Sequence, residues 1–301
     1  MLEGKVALVT GGGRGVGRDI ALMMANMGAK VVVNDLGAEN DGEGQDETPA
    51  RAVADEIAAN GGEAAVNYGS VAIFDHAKAM VELALSSFGR LDVVVNNAGI
   101  LRDSIFHKMT ERDFDQVIAV HLKGAFNVSR CAADVFRDQQ SGCFVHMTST
   151  SGLIGNMGQA NYMAAKLGIA GLSKSIALDM ARYNVRSNCI APFAWSRMTE
   201  SIPAVTPEEM ARVEKLRQMT PDKIAVVATA LAADEAQDVT GQIFAVRNNE
   251  IFLMGQSRPL RGMQRSEGWT PETVLTHAFP AMKASFFGLD RTSDVFTWEP
   301  V

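Results

Sequence analysis

The sequence has little cysteine, no surplus of positive charge, no clustered histidine and no hydrophobic run long enough to cross a bilayer. Its three cysteines, Cys131, Cys143 and Cys189, are odd in number and widely spaced. They form no C-x-x-C pair and no Cys/His pattern, which excludes a disulfide framework and a sequence-recognisable zinc site. The five histidines, His76, His107, His121, His146 and His277, are too scattered to make a ligand set, so no metal is expected. With 28 basic against 35 acidic residues the net charge is −7, the wrong sign for a nucleic-acid footprint. The longest apolar stretch, "IAVVATALAA", is too short for a membrane span, and no membrane partner is expected. "MLEGKVALVT" offers no basic leader and "FTWEPV" no targeting signal, so a reducing, cytoplasmic setting is expected.

What the sequence does have is alternation. At 47% hydrophobic over 301 residues it can bury a full core. "KVALVT", "KVVVND", "EAAVNY", "LDVVVNN", "CFVHMTS", "VRSNCIAP" and "QIFAVRN" read as seven strands, mostly apolar on both faces, separated by amphipathic helical segments. This order predicts an α/β fold, a doubly wound seven-stranded parallel sheet with helices on both faces, within a domain spanning residues 1–249. Thr110, Thr206 and Thr220 are expected to cap helices, and two long helices are expected over 111–138 and 159–183. Residues 250–301 lose the strand alternation but carry Trp269, Trp298 and several phenylalanines. They predict a C-terminal extension packed on this domain or on a neighbouring subunit.

Between the first strand and the first helix stands "TGGGRGVG". Glycines there let backbone N–H groups approach a pyrophosphate, and a helix N-terminus adds partial positive charge. Gly11, Arg14, Gly15, Val16 and Gly17 are therefore candidate dinucleotide contacts. Asp35, at the end of the second strand, is placed to accept hydrogen bonds from ribose hydroxyls and to repel a 2′-phosphate. Residues 35–50 hold six acids and no base. Together these favour NAD over NADP, although Arg14 could meet a 2′-phosphate. Farther along, "NYMAAK" sets Tyr162 four residues before Lys166, so that a helix would stack the two side chains on one face. A phenol titrates near 10, and the adjacent ammonium together with the positive nicotinamide of an oxidised cofactor is expected to lower it towards neutrality, making Tyr162 a proton donor and acceptor.

Taken together, "TGGGRGVG", "NNAG" at residues 96–99 and Ser149, thirteen residues before Tyr162, resemble the short-chain dehydrogenase/reductase family over about residues 3–247. The resemblance implies a Rossmann-type sheet and a CH–OH oxidoreductase. "VVVNDLG", "NNAGILRD", "GNMGQANYMAAKLG" and "IAPFAWSRMTE" are similar to the (3R)-hydroxyacyl-CoA dehydrogenase unit of peroxisomal multifunctional enzymes and its bacterial relatives. That similarity implies a stand-alone enzyme with NAD and a 3-hydroxyacyl-CoA or similar acyl-CoA as ligands. A 3-oxoacyl carrier-protein reductase or a steroid or other alcohol dehydrogenase remains open, as does, outside catalysis, a silent NAD-binding scaffold. By resemblance Tyr162 is the general acid/base, Lys166 its partner and ribose anchor, and Ser149 the donor to the substrate oxygen, with Thr150 and Ser151 as competitors for that role. His121 stands where the family commonly has a relay asparagine. Ser70, Val71 and Asn97 are implied adenosine contacts, and Ala194, Trp195, Ser196 and Arg197 lie near the nicotinamide. Phe193 and Trp195 are expected to narrow the acyl pocket towards cyclic or branched chains. The family's usual state implies a homodimer or homotetramer.

Overall fold

A computed structural model describes residues 1–39, 41–194 and 206–301; the implied contacts Trp195, Ser196 and Arg197 lie outside the described residues. The strands are β1 (Val6–Thr10), β2 (Lys30–Asn34), β3 (Ala64–Asn67), β4 (Val93–Asn96), β5 (Gly142–Met147), β6 (Val185–Phe193), β7 (Ile243–Arg247) and β8 (Glu250–Leu253). They form one sheet in the order β3-β2-β1-β4-β5-β6-β7-β8, parallel from β3 through β7. The winding direction reverses between β1 and β4, and a crevice at the carboxyl end of such a reversal is where open α/β sheets hold ligands.

Among the described residues the sheet has eight strands where seven were expected. β8 pairs antiparallel with β7 across a two-residue turn, with Arg247 opposite Glu250 and Asn248 in the left-handed region at φ 53°. Its four residues, "EIFL", show no polar alternation because this short edge strand leaves Ile251 and Leu253 exposed. Periodicity therefore had nothing to register.

The helices are α1 (Gly15–Asn26), α2 (Thr48–Ala59), α3 (Phe74–Phe88), α4 (Glu111–Ile118), α5 (Gly124–Gln139), α6 (Thr150–Leu153), α7 (Ala160–Asp179), α8 (Pro207–Arg217) and α9 (Pro221–Ala232). Alternate strand residues face opposite layers, as a pleat requires. Ala7, Val9, Val31 and Val33 pack under α1, α2 and α9, whereas Val6, Leu8, Val32 and Val94 pack under α3 and α5. Thr110 caps α4 by accepting from the Asp113 N–H. Thr220 makes no side-chain cap bond, and the fixed φ of Pro221 opens α9 instead.

The expected helix over 111–138 is interrupted by a π turn at Ala119–Lys123, between α4 and α5. Such turns are uncommon and recur at functional sites. This one carries His121.

The C-terminal segment folds back on its own sheet edge. Trp298 Nε1 donates to Glu250 at 2.6 Å, the Asn249 N–H donates to the Val301 carbonyl at 3.0 Å, and the Thr292 N–H donates to Gly155 O at 2.9 Å. The Phe296 ring meets those of Phe193 and Phe252 edge-on at 5.0 and 5.2 Å, and the Arg247 guanidinium lies 5.5 Å from the Trp298 ring. Cys143 and Cys189 are buried and Cys131 partly so. Burial pushes all three thiols up, Cys189 to about 11.

Candidate active site

The crevice above the β1/β4 reversal is a cavity of about 330 Å³. Of the residues expected from the sequence, Gly11, Arg14, Asp35, Ser70, Val71, Asn97, His121, Tyr162 and Lys166 line it, whereas Gly15, Gly17 and Ser149 do not. Eight segments that are distant in sequence thus meet at the carboxyl end of the sheet.

Why glycine is needed in the phosphate loop is a matter of space. Gly11 has φ 61°, and a Cβ there would lie 2.9 Å from the Ala98 Cα. A Cβ on Gly17 would overlap the Gly11 carbonyl oxygen and stand 2.5 Å from Asn97 Nδ2. Thr10 locks the same corner: its hydroxyl accepts from the N–H groups of Asn97 and Ala98 at 3.0 and 3.2 Å. Asn97 Nδ2 in turn donates to the carbonyls of Thr10 and Gly11, both at 3.0 Å. This tight, amide-lined turn at a helix N-terminus fits a dinucleotide pyrophosphate. Gly17→Ala is expected to destabilise the protein by about 3 kcal/mol or more through overpacking and to abolish nucleotide binding. Thermal unfolding and a fluorescence titration with NADH check both. Val16 packs into the core and does not line the crevice; Ala194 behaves likewise, and Pro192 takes its place on the wall.

Asp35 is fixed by backbone. Oδ2 accepts from the Gly13 N–H at 2.8 Å and Oδ1 from the Gly37 N–H at 2.7 Å. The acidic loop that follows crosses the crevice mouth. Leu36, Ala38, Glu39 and Gly42 line the cavity, and Glu43 Oε1 accepts from Arg102 and Arg112, both at 2.7 Å. One carboxylate thereby ties this loop to the start of α4.

Deeper in, β5 ends at Met147, and Ser149 caps α6, accepting from the Ser151 N–H at 3.1 Å. The Ser149 hydroxyl also favours the ionised form of the Tyr162 phenol. Thr150 is buried in the first turn of α6. The Lys166 Nζ donates to the Met147 carbonyl at 2.7 Å and lies 5.5 Å from the Tyr162 ring centre. The one-face geometry expected from the four-residue spacing is therefore present. Burial raises the Tyr162 phenol above its ordinary value, opposed by Ser149. Burial likewise lowers Lys166, to about 7.

His121 is buried, its ring edge-on to Tyr162 at 5.3 Å. Nε2 lies 2.7 Å from the Ile100 carbonyl oxygen and 3.0 Å from the Ile100 nitrogen, while Nδ1 has no protein partner. Burial first, then Lys166, pushes the ring down to about 3, so it is neutral throughout the physiological range. Gly99 makes room for it, since a Cβ there would stand 3.0 Å from Nδ1. A chamber of about 10 Å³ behind the crevice is shared by Thr10, Asn96, His121 and Lys166.

Asn161 was missed at the sequence level although it adjoins Tyr162. It is fully buried; Nδ2 donates to the carbonyls of Arg102 and Asp113 at 2.8 and 3.1 Å, and Oδ1 accepts from the Tyr162 N–H at 2.8 Å. A buried polar side chain with all three bonds made orients the start of α7. Phe193, expected to shape the acyl pocket, turns instead to Phe296 and is absent from the crevice wall.

The pattern of short chain dehydrogenases matches residues 5–206. The chain belongs to that family. A short-chain type dehydrogenase/reductase of Mycobacterium tuberculosis is 46% identical over 260 residues, 86% of this chain and 85% of that protein. The peroxisomal multifunctional enzyme type 2 of Mus musculus is 42% identical over 274 residues, 90% of this chain but 36% of that protein. This chain thus spans about a third of the multifunctional enzyme's length. Among solved structures, a short chain dehydrogenase from Mycobacterium avium superposes with a TM-score of 0.81 at 38% identity, covering 94% of this chain and 96% of that one. A 7α-hydroxysteroid dehydrogenase complexed with NADH and 7-oxo glycochenodeoxycholic acid gives 0.72 at 30% identity, covering 81% and 93%. As a short-chain dehydrogenase, the protein is an oxidoreductase acting on CH–OH groups, with a nicotinamide cofactor and a small-molecule substrate. Among the described residues no helix is long and apolar enough to cross a membrane, and no cluster of potential metal ligands occurs.

Proposed function

We propose that this short-chain dehydrogenase uses NAD to oxidise a 3-hydroxyacyl-CoA, a β-oxidation-type step. The observation that carries the reading is Tyr162 and Lys166 together on the wall of one crevice with Asp35 and Asn97, the Lys166 Nζ 5.5 Å from the Tyr162 ring centre and one turn along α7. Preference for NAD is supported by Asp35, whose carboxylate is held by two backbone N–H groups and cannot swing away from a 2′-phosphate. The acyl-CoA assignment is supported by 42% identity to the multifunctional enzyme across 90% of this chain.

Gly11, Gly15 and Gly17 would cradle the pyrophosphate, Asp35 and Arg14 would flank the adenosine ribose, and Ser70, Val71 and Asn97 would bound the adenosine half. Bound oxidised nicotinamide supplies the hydride acceptor and a positive charge. Ser149 and Tyr162 hold the substrate hydroxyl, and Tyr162 exchanges its proton. Lys166 holds the ribose and, when protonated, stabilises the phenolate. His121 stays neutral, so its part is to hold a hydrogen bond beside Lys166 and not to carry charge. Exposed Phe126 on α5 and Leu167 on α7 suit helix-face pairing into a homodimer or homotetramer. A cytoplasmic setting accords with thiols that are kept reduced and buried.

Absorbance of reduced nicotinamide, followed with NAD or NADP and a graded series of 3-hydroxyacyl-CoAs, tests the assignment. Reduction of NAD that depends on the 3-hydroxyacyl-CoA is expected. Faster turnover of carrier-protein 3-oxoacyl substrates with NADPH would replace it by a reductase function.

A further inference from the structure

We propose that Asp46 is a positioning residue for nucleotide choice: it withholds the Arg14 guanidinium from the place where a 2′-phosphate would need it. The inference rests on the NAD preference proposed above and adds a second device to Asp35.

Arg14 is well sited to defeat NAD selectivity. It follows Gly13, whose N–H is bonded to Asp35, and its side chain lines the crevice beside Asp35. A guanidinium there offers paired donors to a phosphate. In this structure those donors point into the acidic loop. Nη1 donates to the Ala38 carbonyl at 3.3 Å, and Nη2 lies 3.6 Å from Asp46 Oδ2.

Asp46 is itself immobilised. Its Oδ1 accepts from the Thr48 N–H at 2.9 Å, and its own N–H donates to the Leu36 carbonyl at 3.3 Å. Its backbone lies so close to Gly37, at φ 72°, that no Cβ fits between them. Hydrogen bonds from Thr48, then the charge of Arg14, hold the carboxyl below its ordinary range, so it stays ionised at neutral pH. The loop therefore closes on itself at Gly37 and Asp46 and presents a fixed anion to Arg14. A 2′-phosphate would have to compete with that anion for the guanidinium while meeting repulsion from both Asp35 and Asp46.

The ion pair is partly exposed, with side-chain exposures of 33% and 48%. Its effect is correspondingly moderate. Asp46→Asn keeps the acceptor for the Thr48 N–H and removes the charge. The expected result is a rise of about five- to tenfold in the ratio of NADPH to NADH affinity, without inversion, since Asp35 remains. Dissociation constants for NADH, NADPH, 5′-ADP and 2′,5′-ADP, measured by calorimetry on the substrate-free protein, read this directly. The ADP pair should shift by the same ratio as the dinucleotides. In an Arg14→Ala background, Asp46→Asn should leave the ratio within about twofold of that single variant. An unchanged ratio in Asp46→Asn overturns the inference. So does an equal gain in the Arg14→Ala background, which would mean that charge repulsion alone is responsible. Tighter NADPH than NADH binding by the unmodified protein would instead overturn the NAD preference, with the Asp46 comparison still deciding the present point.

Discussion

Replacing Tyr162 with phenylalanine is expected to lower kcat by about a thousandfold, within the 10²–10⁴ range of a lost general acid or base. The substitution removes one oxygen and little else. The ring keeps its edge-on contact with His121 at 5.3 Å and its place 5.5 Å from Lys166. The Tyr162 N–H remains bonded to Asn161 Oδ1, so the start of α7 is undisturbed. What disappears is the only phenolic proton at the crevice wall among the described residues. Turnover at saturating substrate, the melting temperature and the NADH dissociation constant together separate a chemical loss from a folding loss. Activity within tenfold of the unmodified enzyme would place proton exchange elsewhere. Because the free protein holds the phenol above its ordinary value, the substrate-free tyrosine is protonated at neutral pH. It stands ready as an acid, and its use as a base depends on charge that arrives with the ligands.

Lys166→Met is expected to abolish turnover and yet make the nucleotide-free protein more stable at pH 7. Lys166 is only 4% exposed and burial lowers it from 10.5 to about 7. The unfolded chain keeps a proton on this lysine up to about pH 10, whereas the folded chain releases it near 7. Unfolding between those values takes up a proton, so stability rises with pH across that window, and below pH 7 the destabilisation is complete. A shift of that size corresponds at most to about 5 kcal/mol. Methionine retains the stem but leaves the Met147 carbonyl without its donor, which costs about 1–3 kcal/mol. A net gain of about 2 kcal/mol at pH 7 is therefore expected, shrinking towards zero or reversing by pH 10. Denaturant titrations of both proteins at pH 6, 7, 8.5 and 10 measure the difference. A constant offset between the two curves would mean that Lys166 is not buried in its neutral form.

The parts of the site that could be read from sequence are those whose chemistry is local. Gly11 of the glycine loop, Asp35, and the Tyr162 and Lys166 spacing each sit within a few residues of a strand end or within one helical turn, and the fold brings them to a single crevice. What escaped depends on burial and on contacts between distant segments. The bridge from Glu43 to Arg102 and Arg112 joins residues 59 and 69 positions apart. The direction of the Tyr162 shift follows from how much solvent the fold removes, which spacing does not encode. The π turn at His121 has no composition cue, since "AVHLK" would serve equally well in an ordinary helix. β8 is too short for periodicity to detect.

The three thiols give the molecule a practical advantage. All are withdrawn from solvent in part or whole, and all are held in the protonated form that reacts slowly with electrophiles. A single cysteine introduced at an exposed position of the acidic loop would therefore take a maleimide dye almost alone. The native protein is in this respect already a low-background scaffold for site-specific labelling, with no prior removal of its own sulfhydryls.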